Sequence, residues 1–212
     1  MTVAASTDKP RRSRARSLFE TVFVVALAIG LAVGIQAAVA KPYKIPSESM
    51  VPTLEVGERV IVDRVSYRFS EPEIGDIVVF QPPVGAEPSH AGRACAVARE
   101  PGQACPKAWP ERSDGVPFIK RIVAGPGDRL AIRDGHPVVN GVAAEEDFVR
   151  GCGGAPDCDL PSEIVIPEGH YFMLGDNRGA SLDSRAWGPV PKEWIIGRAF
   201  LAYWPLDRIG GL

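Results

Sequence analysis

The longest hydrophobic pattern lies near the N-terminus. Leu18 to Ala40 carries Glu20 as its single charge, and Thr21 to Ile35 carries none. A helix rises about 1.5 Å per residue, so about twenty such residues reach about 30 Å, one hydrocarbon thickness. This pattern predicts a transmembrane helix over residues 18–40. Beyond it the apolar runs become short and β-branched. Val60–Val65 and Ile77–Phe80 each follow a Gly-acid pair, Gly57-Glu58 and Gly75-Asp76, that reads as a turn. Phe118–Val123, Arg129–Ile132, Ile164–Ile166, Tyr171–Leu174 and Ile195–Tyr203 continue the series. Short strands between Gly/Pro turns predict a mostly β fold, an antiparallel sandwich or barrel-like sheet, over residues 41–212. The only long helix expected is the N-terminal span.

Charge orients that span. Lys9, Arg11, Arg12, Arg14 and Arg16 precede it, against Lys41 and Lys44 just after. The positive-inside bias leaves residues 1–17 as a basic cytoplasmic tail and carries 41–212 across, a single-pass protein of the plasma (inner) membrane. Ala38-Val39-Ala40 also reads as a small-x-small cleavage site behind a basic n-region, the mark of a removable signal peptide. Such signals have apolar cores of about 7–15 residues, so the longer run here favours a retained anchor. The net charge of −2 argues against a nucleic-acid partner, which would require a strong basic excess.

Glycine (22) and proline (20) imply many turns, and two stretches read as insertions. Residues 82–115 hold Cys95 and Cys105; residues 143–162 hold Cys152 and Cys158. Four cysteines allow three pairings. In an exported domain the local pairs Cys95–Cys105 and Cys152–Cys158 are the simplest assignment, each stapling one excursion. Zinc-type Cys-x-x-Cys spacing is absent, and the sequence calls for no metal or cofactor.

Candidate chemistry concentrates in Ile45-Pro46-Ser47-Glu48-Ser49-Met50-Val51-Pro52-Thr53-Leu54. Pro46 and Pro52 predict a rigid, non-helical segment that fixes the direction of a serine side chain. A Ser/Pro linker between anchor and domain is the plainer alternative. A serine nucleophile needs a base. His90, His136 and His170 all sit in turn-like contexts. Lys120 lies in Phe118-Ile119-Lys120-Arg121-Ile122-Val123, where strand alternation puts Phe118, Lys120 and Ile122 on one face. An apolar face removes solvent and lowers a lysine's pKa, which would make Lys120 a usable general base. Alternatively its stem packs there and its amine reaches water.

Three blocks occur in order behind the anchor: Pro46 to Leu54, Phe118 to Asp128 and Gly175 to Arg185. Together they resemble the bacterial type I signal peptidases, membrane-bound serine endopeptidases that release exported proteins from signal peptides. The resemblance implies an antiparallel β-sheet catalytic domain of that type, with Ser49 as nucleophile and Lys120 as general base. It implies an oxyanion hole made by the Ser49 N–H and Ser47, and a Ser181 hydroxyl that orients the lysine. Asp176, Arg178, Asp183 and Arg185 match a charged cluster that shapes the site; surface ion pairs in a solvated turn are the alternative. It further implies that Ile45, Met50, Leu54, Phe118 and Ile119 line the pocket for the substrate's −1 side chain, and Tyr43, Ile45 and Ile119 that for −3. Ordinary core packing would account for the same residues. The chain departs from the family pattern at Glu48, often glycine there, and at Gly179-Ala180, usually a more polar pair.

The implied partners are signal peptides of secretory preproteins, bound extended beside the Ser49 segment, and membrane lipid. Ser49 follows Ala40 by nine residues, at most about 30 Å of extended chain, which would hold the site near the bilayer. Oligomeric state stays open, a monomer being the simplest reading. Competing readings are a Ser/Lys peptidase with one dedicated substrate, an anchored β-domain that binds without catalysis, and an intracellular self-cleaving repressor, against which the anchor and cysteines count.

Overall fold

The computed structural model describes residues 14–84, 86, 95, 98, 102–107, 115–154 and 158–212. The basic tail through residue 13, most of the insertion at 82–115 with His90, and part of that at 143–162 lie outside the described residues.

Two units divide at residue 39. The first is helix α1, Arg14–Val39 (26 residues). Its apolar side chains from Leu18 to Leu31 are exposed. Among the described residues no helix is long and apolar enough to cross a membrane, so the spanning role expected of residues 18–40 rests on the sequence alone.

The second unit is antiparallel β. Its larger sheet comprises β1 (Ala40–Lys44), β2 (Arg59–Asp63), β3 (Ile77–Phe80), β4 (Phe118–Ala124), β9 (His170–Leu174), β10 (Val190–Pro191), β11 (Ile195–Trp204) and β12 (Gly210–Gly211), in the order β1-β2-β11-β3-β4-β9-β10, with β12 on β11. The smaller sheet, β7-β6-β5-β8, uses β5 (Arg129–Arg133), β6 (His136–Val139), β7 (Val142–Ala143) and β8 (Leu160–Val165). Among the described residues every named strand pair is antiparallel, as the alternating pattern predicts, and two isolated bridges, Gln103–Ser162 and Arg150–Asn177, are parallel.

Strand β1 escaped the hydrophobic pattern because Ala-Lys-Pro-Tyr-Lys has no apolar alternation. It is an edge strand, where Pro42 leaves no interior ladder bond unmade. In the long strand β11, Gly197 passes so close to β2 that a Cβ would overlap the Asp63 carbonyl oxygen.

Three apolar clusters hold this unit. Strand β3 is buried on both faces: Ile77 and Val79 join Ile45, Met50, Leu54 and Ile119, while Val78 and Phe80 join Ile122 and Trp187. Lys120 lies opposite Val78 in the β3–β4 register, with Phe118 and Ile122 on its own face. The third cluster, Leu130, Ile132, Ile164 and Phe172 among it, joins the small sheet to β9.

Candidate active site

Ser49 sits in a single 3₁₀ turn, Glu48–Met50, closed by a Val51 N–H to Glu48 O bond of 3.1 Å. The non-helical segment expected between the prolines is therefore one helical turn. Pro46 and Pro52 restrict themselves and Ile45 and Val51, but leave Ser47–Met50 free to coil. Met50 is fully buried beneath the turn, so hydrophobic packing fixes its rotation and directs Ser49.

Lys120 Nζ lies 2.7 Å from Ser49 Oγ and 3.0 Å from the Ile119 carbonyl oxygen. The amine also stands 5.6 Å from the centre of the Phe118 ring. Only 4% of Lys120 is exposed. Burial pushes its pKa down to about 8, against the pull of Asp183 and Asp176, which favour the charged form. Neutralising an ordinary lysine at pH 7 costs about 4–5 kcal/mol; from a pKa of about 8 the cost is on the order of 1 kcal/mol. The arrangement gives a serine hydroxyl a proton acceptor ready near neutral pH.

Ser47, in extended backbone, donates its hydroxyl to Ser49 Oγ at 3.3 Å. Ser181 departs from expectation. Its Oγ is buried and makes no bond to Lys120 Nζ, whose second contact is the Ile119 carbonyl; the hydroxyl acts on the Asp183 carboxylate, helping to hold its pKa down. The Ser181 hydroxyl instead faces Gly175, where it and the Ser49 carbonyl oxygen occupy the space a Cβ would need.

Asp176, Arg178, Asp183 and Arg185 are all buried, not a solvated turn. Asp176 is gripped by Arg121 through Nε at 2.9 Å and Nη2 at 2.7 Å, and receives the Thr53 hydroxyl at 2.5 Å. Arg178 bonds the carbonyl oxygens of Gly175 and Gly135 and the Glu146 carboxylate. Asp183 caps helix α2 (Ser184–Trp187) and pairs with Arg185 Nε at 2.8 Å. Burial pushes the Asp183 carboxyl up, but the Arg185 guanidinium and the Gly175 N–H outweigh it and hold it below the usual range. Arg121, Thr53 and Glu146 are the members that sequence reasoning missed. Arg121 alone carried a signal, as a cation beside Lys120 on the other strand face.

Of the six pocket candidates, Ile45, Met50, Leu54 and Ile119 share one core cluster, with Tyr43 packed partly buried against it. Phe118 belongs to the neighbouring cluster with Trp187. Ile45, Met50 and Leu54 are at most 2% exposed, so any share they have in a substrate pocket is its floor. His136 faces Glu146, and His170 Nδ1 lies 2.8 Å from the Glu168 carbonyl oxygen; neither approaches Ser49. A cavity of about 1080 Å³ lined by Arg64, Tyr67, Lys107, His170, Lys192 and Trp194 includes neither Ser49 nor Lys120.

Disulfides join Cys95–Cys105, with Cα atoms 5.7 Å apart, and Cys152–Cys158, at 5.9 Å. Both bear on the charged cluster: Cys105 N–H bonds the Arg185 carbonyl at 3.1 Å, and Arg185 Nη1 reaches Cys158 Sγ at 3.3 Å.

Residues 18–204 match the family model described as "Signal peptidase, peptidase S26". Thylakoidal processing peptidase 1, chloroplastic, of Arabidopsis thaliana is 41% identical over 175 residues, 82% of this chain and 45% of that protein. Signal peptidase I of Leptolyngbya laminosa is 37% identical over 195 residues, 92% of this chain and 84% of that protein. Signal peptidase I of Mycobacterium tuberculosis (strain ATCC 25618 / H37Rv) is 34% identical over 236 residues, 98% of this chain and 79% of that protein. The chain spans less than half the length of the two Arabidopsis thylakoidal peptidases it matches.

Proposed function

The chain belongs to the signal peptidase family, peptidase S26, and from that premise we propose that it is a membrane-anchored serine endopeptidase that removes signal peptides from exported preproteins with a Ser49/Lys120 dyad. The observation that carries this reading is the buried 2.7 Å contact between Lys120 Nζ and Ser49 Oγ.

In the proposed reaction, neutral Lys120 takes the hydroxyl proton as Ser49 Oγ bonds to the scissile carbonyl carbon. The resulting oxyanion is met by the Ser49 N–H and the Ser47 hydroxyl; one such donor is worth about 3–4 kcal/mol in the transition state. Lys120 then protonates the leaving amine, releasing the mature protein. A water molecule, deprotonated by the same lysine, attacks the acyl-enzyme and frees the signal peptide with its new carboxylate. Ser181, Asp176, Arg178, Asp183 and Arg185 support the dyad rather than react.

Small residues at −3 and −1 suit a shallow site floored by packed Ile45, Met50, Leu54 and Ile119, with half-buried Tyr43 and Phe118 beside it. The substrate lies extended beside the Ser49 segment. The exposed apolar side chains of α1 suit a lipid environment, with residues 1–17 cytoplasmic, 18–40 spanning and 41–212 outside.

The test is cleavage of a preprotein with an Ala-x-Ala site by detergent-purified protein, beside Ser49→Ala and Lys120→Ala, with the product's N-terminus sequenced. Cutting directly after the site, abolished by either substitution, is the expected result. Activity surviving Lys120→Ala would overturn the dyad.

A further inference from the structure

Asn177 is 4% exposed and makes two bonds to the nucleophile's turn from a distant part of the chain. Its backbone N–H donates to the Ser49 carbonyl at 3.0 Å, and its side-chain amide donates to the Glu48 carbonyl at 3.1 Å. Its own carbonyl accepts from the Ala180 N–H at 3.1 Å, in the loop leading to Ser181. One residue thus ties the Ser49 turn to the Ser181 loop.

The bond to Glu48 has a chemical direction. The Glu48 carbonyl and the Ser49 N–H belong to one planar peptide unit and point opposite ways. Whatever fixes the carbonyl therefore aims the N–H. Two donors fix it, the Val51 N–H at 3.1 Å and the Asn177 amide. The Ser49 N–H lies in the first turn of the 3₁₀ segment, where such groups have no partner within the helix and stay available to a ligand. A carbonyl that accepts two hydrogen bonds also polarises its peptide, strengthening the N–H as a donor.

Resting on the proposed serine-protease reading, we propose that the Asn177 side chain is a positioning residue for the oxyanion hole: it aims and polarises the Ser49 N–H through the Glu48 carbonyl. It touches neither the lysine amine nor the substrate. Its contribution appears when charge develops on the substrate oxygen, so it is felt in kcat and not in KM.

The experiment compares wild-type, Asn177→Ala and Asn177→Leu proteins in detergent on a quenched peptide carrying an Ala-x-Ala site, with melting curves for each. Asn177→Leu keeps about the same size and the backbone N–H, adds no charge near Lys120 and removes the donor, and it decides the matter should Asn177→Ala fail to fold. The expected result is a kcat lower by about 10- to 100-fold, less than the loss from deleting a donor outright. KM should stay within about twofold, and the pH at which the rate levels should be unchanged. Two results overturn the inference: a folded variant whose kcat stays within about twofold of wild type, or a loss of kcat accompanied by a shifted pH limb, which would mean that the dyad itself had moved. A wild-type protein that cleaves no such peptide or preprotein would instead overturn the functional reading, and this inference with it.

Discussion

Lys120 and Ser49, 71 positions apart in sequence, meet at 2.7 Å in a place from which both are shielded from water. Neither element alone would produce that contact. Strand β4 carries the lysine on a face shared with Phe118 and Ile122, so its amine has little access to solvent. The 3₁₀ turn is clamped from below by Met50 and from behind by Asn177. The same burial that excludes water lowers the lysine's proton affinity, so packing and chemistry have one cause.

The rate should therefore follow the neutral fraction of Lys120. With a pKa of about 8, kcat/KM should rise about tenfold per pH unit below that value and level above it. Asp183 is the strongest charge favouring the protonated amine, so Asp183→Asn should move the limb to lower pH. A profile flat between about pH 6 and 9 would assign the base elsewhere.

Lys120→Met should abolish cleavage yet stabilise the fold at neutral pH. The lysine's pKa falls from 10.5 unfolded to about 8 folded, so below pH 8 the folded protein carries a buried charge it would rather lose. That mismatch is worth up to about 3 kcal/mol and disappears as pH rises from about 8 to 10.5. The lost contacts to Ser49 and the Ile119 carbonyl offset part of it. Thermal melts at pH 7 and pH 10 check this: the variant should gain a few degrees at pH 7 and less at pH 10. A lower Tm at pH 7 would contradict it.

The antiparallel β character was legible because its central strands are β-branched runs bounded by Gly turns. Strand β1 was not, since its residues pair by backbone at a sheet edge and bury little. At the site, alternation placed Lys120 on the face it occupies, because a period of two is a local property. The partners of the charged cluster are not local: Arg121 meets Asp176 across 55 positions and Thr53 meets it across 123. No spacing rule reports such contacts. Ser181 shows the limit of transfer by motif, since its hydroxyl lies near Gly175 without bonding the amine.

Arg121→Leu should be among the most damaging substitutions outside the dyad. Asp176 is fully buried, and Arg121 gives it two parallel hydrogen bonds that no single-point cation reproduces. Removing the guanidinium strands a carboxylate with only Thr53 for company, a loss of about 3–5 kcal/mol. Arg121→Lys should recover less than half of it. Denaturant melts would measure both, and a loss below about 1 kcal/mol for the leucine variant would show that Asp176 finds another partner.

Gly175→Ala should fold but cleave poorly. The added methyl group would overlap both Ser181 Oγ and the Ser49 carbonyl oxygen, so the loop and the nucleophile's turn would have to part. A displacement of about 1 Å at such a site costs about 10²-fold in rate. Removing only the hydroxyl, in Gly175→Ala/Ser181→Ala, should recover part of the loss; the Ser49 carbonyl remains in the way. Equal rates for Gly175→Ala and wild type would show that the backbone relaxes without moving Ser49.

The chain's own Ala38-Val39-Ala40 should resist cleavage. A substrate must be extended across its −3 to −1 residues, whereas residues 38 and 39 lie in helix α1 and Ala40 opens β1, paired with Asp63. Presenting the Ala40–Lys41 bond would require unwinding the end of the helix and stripping Ala40 from the sheet. Protein purified from membranes should therefore keep its N-terminal segment. Sequencing that finds Lys41 as the major start in wild type, and not in Ser49→Ala, would show that the junction opens often enough for another copy to cut it.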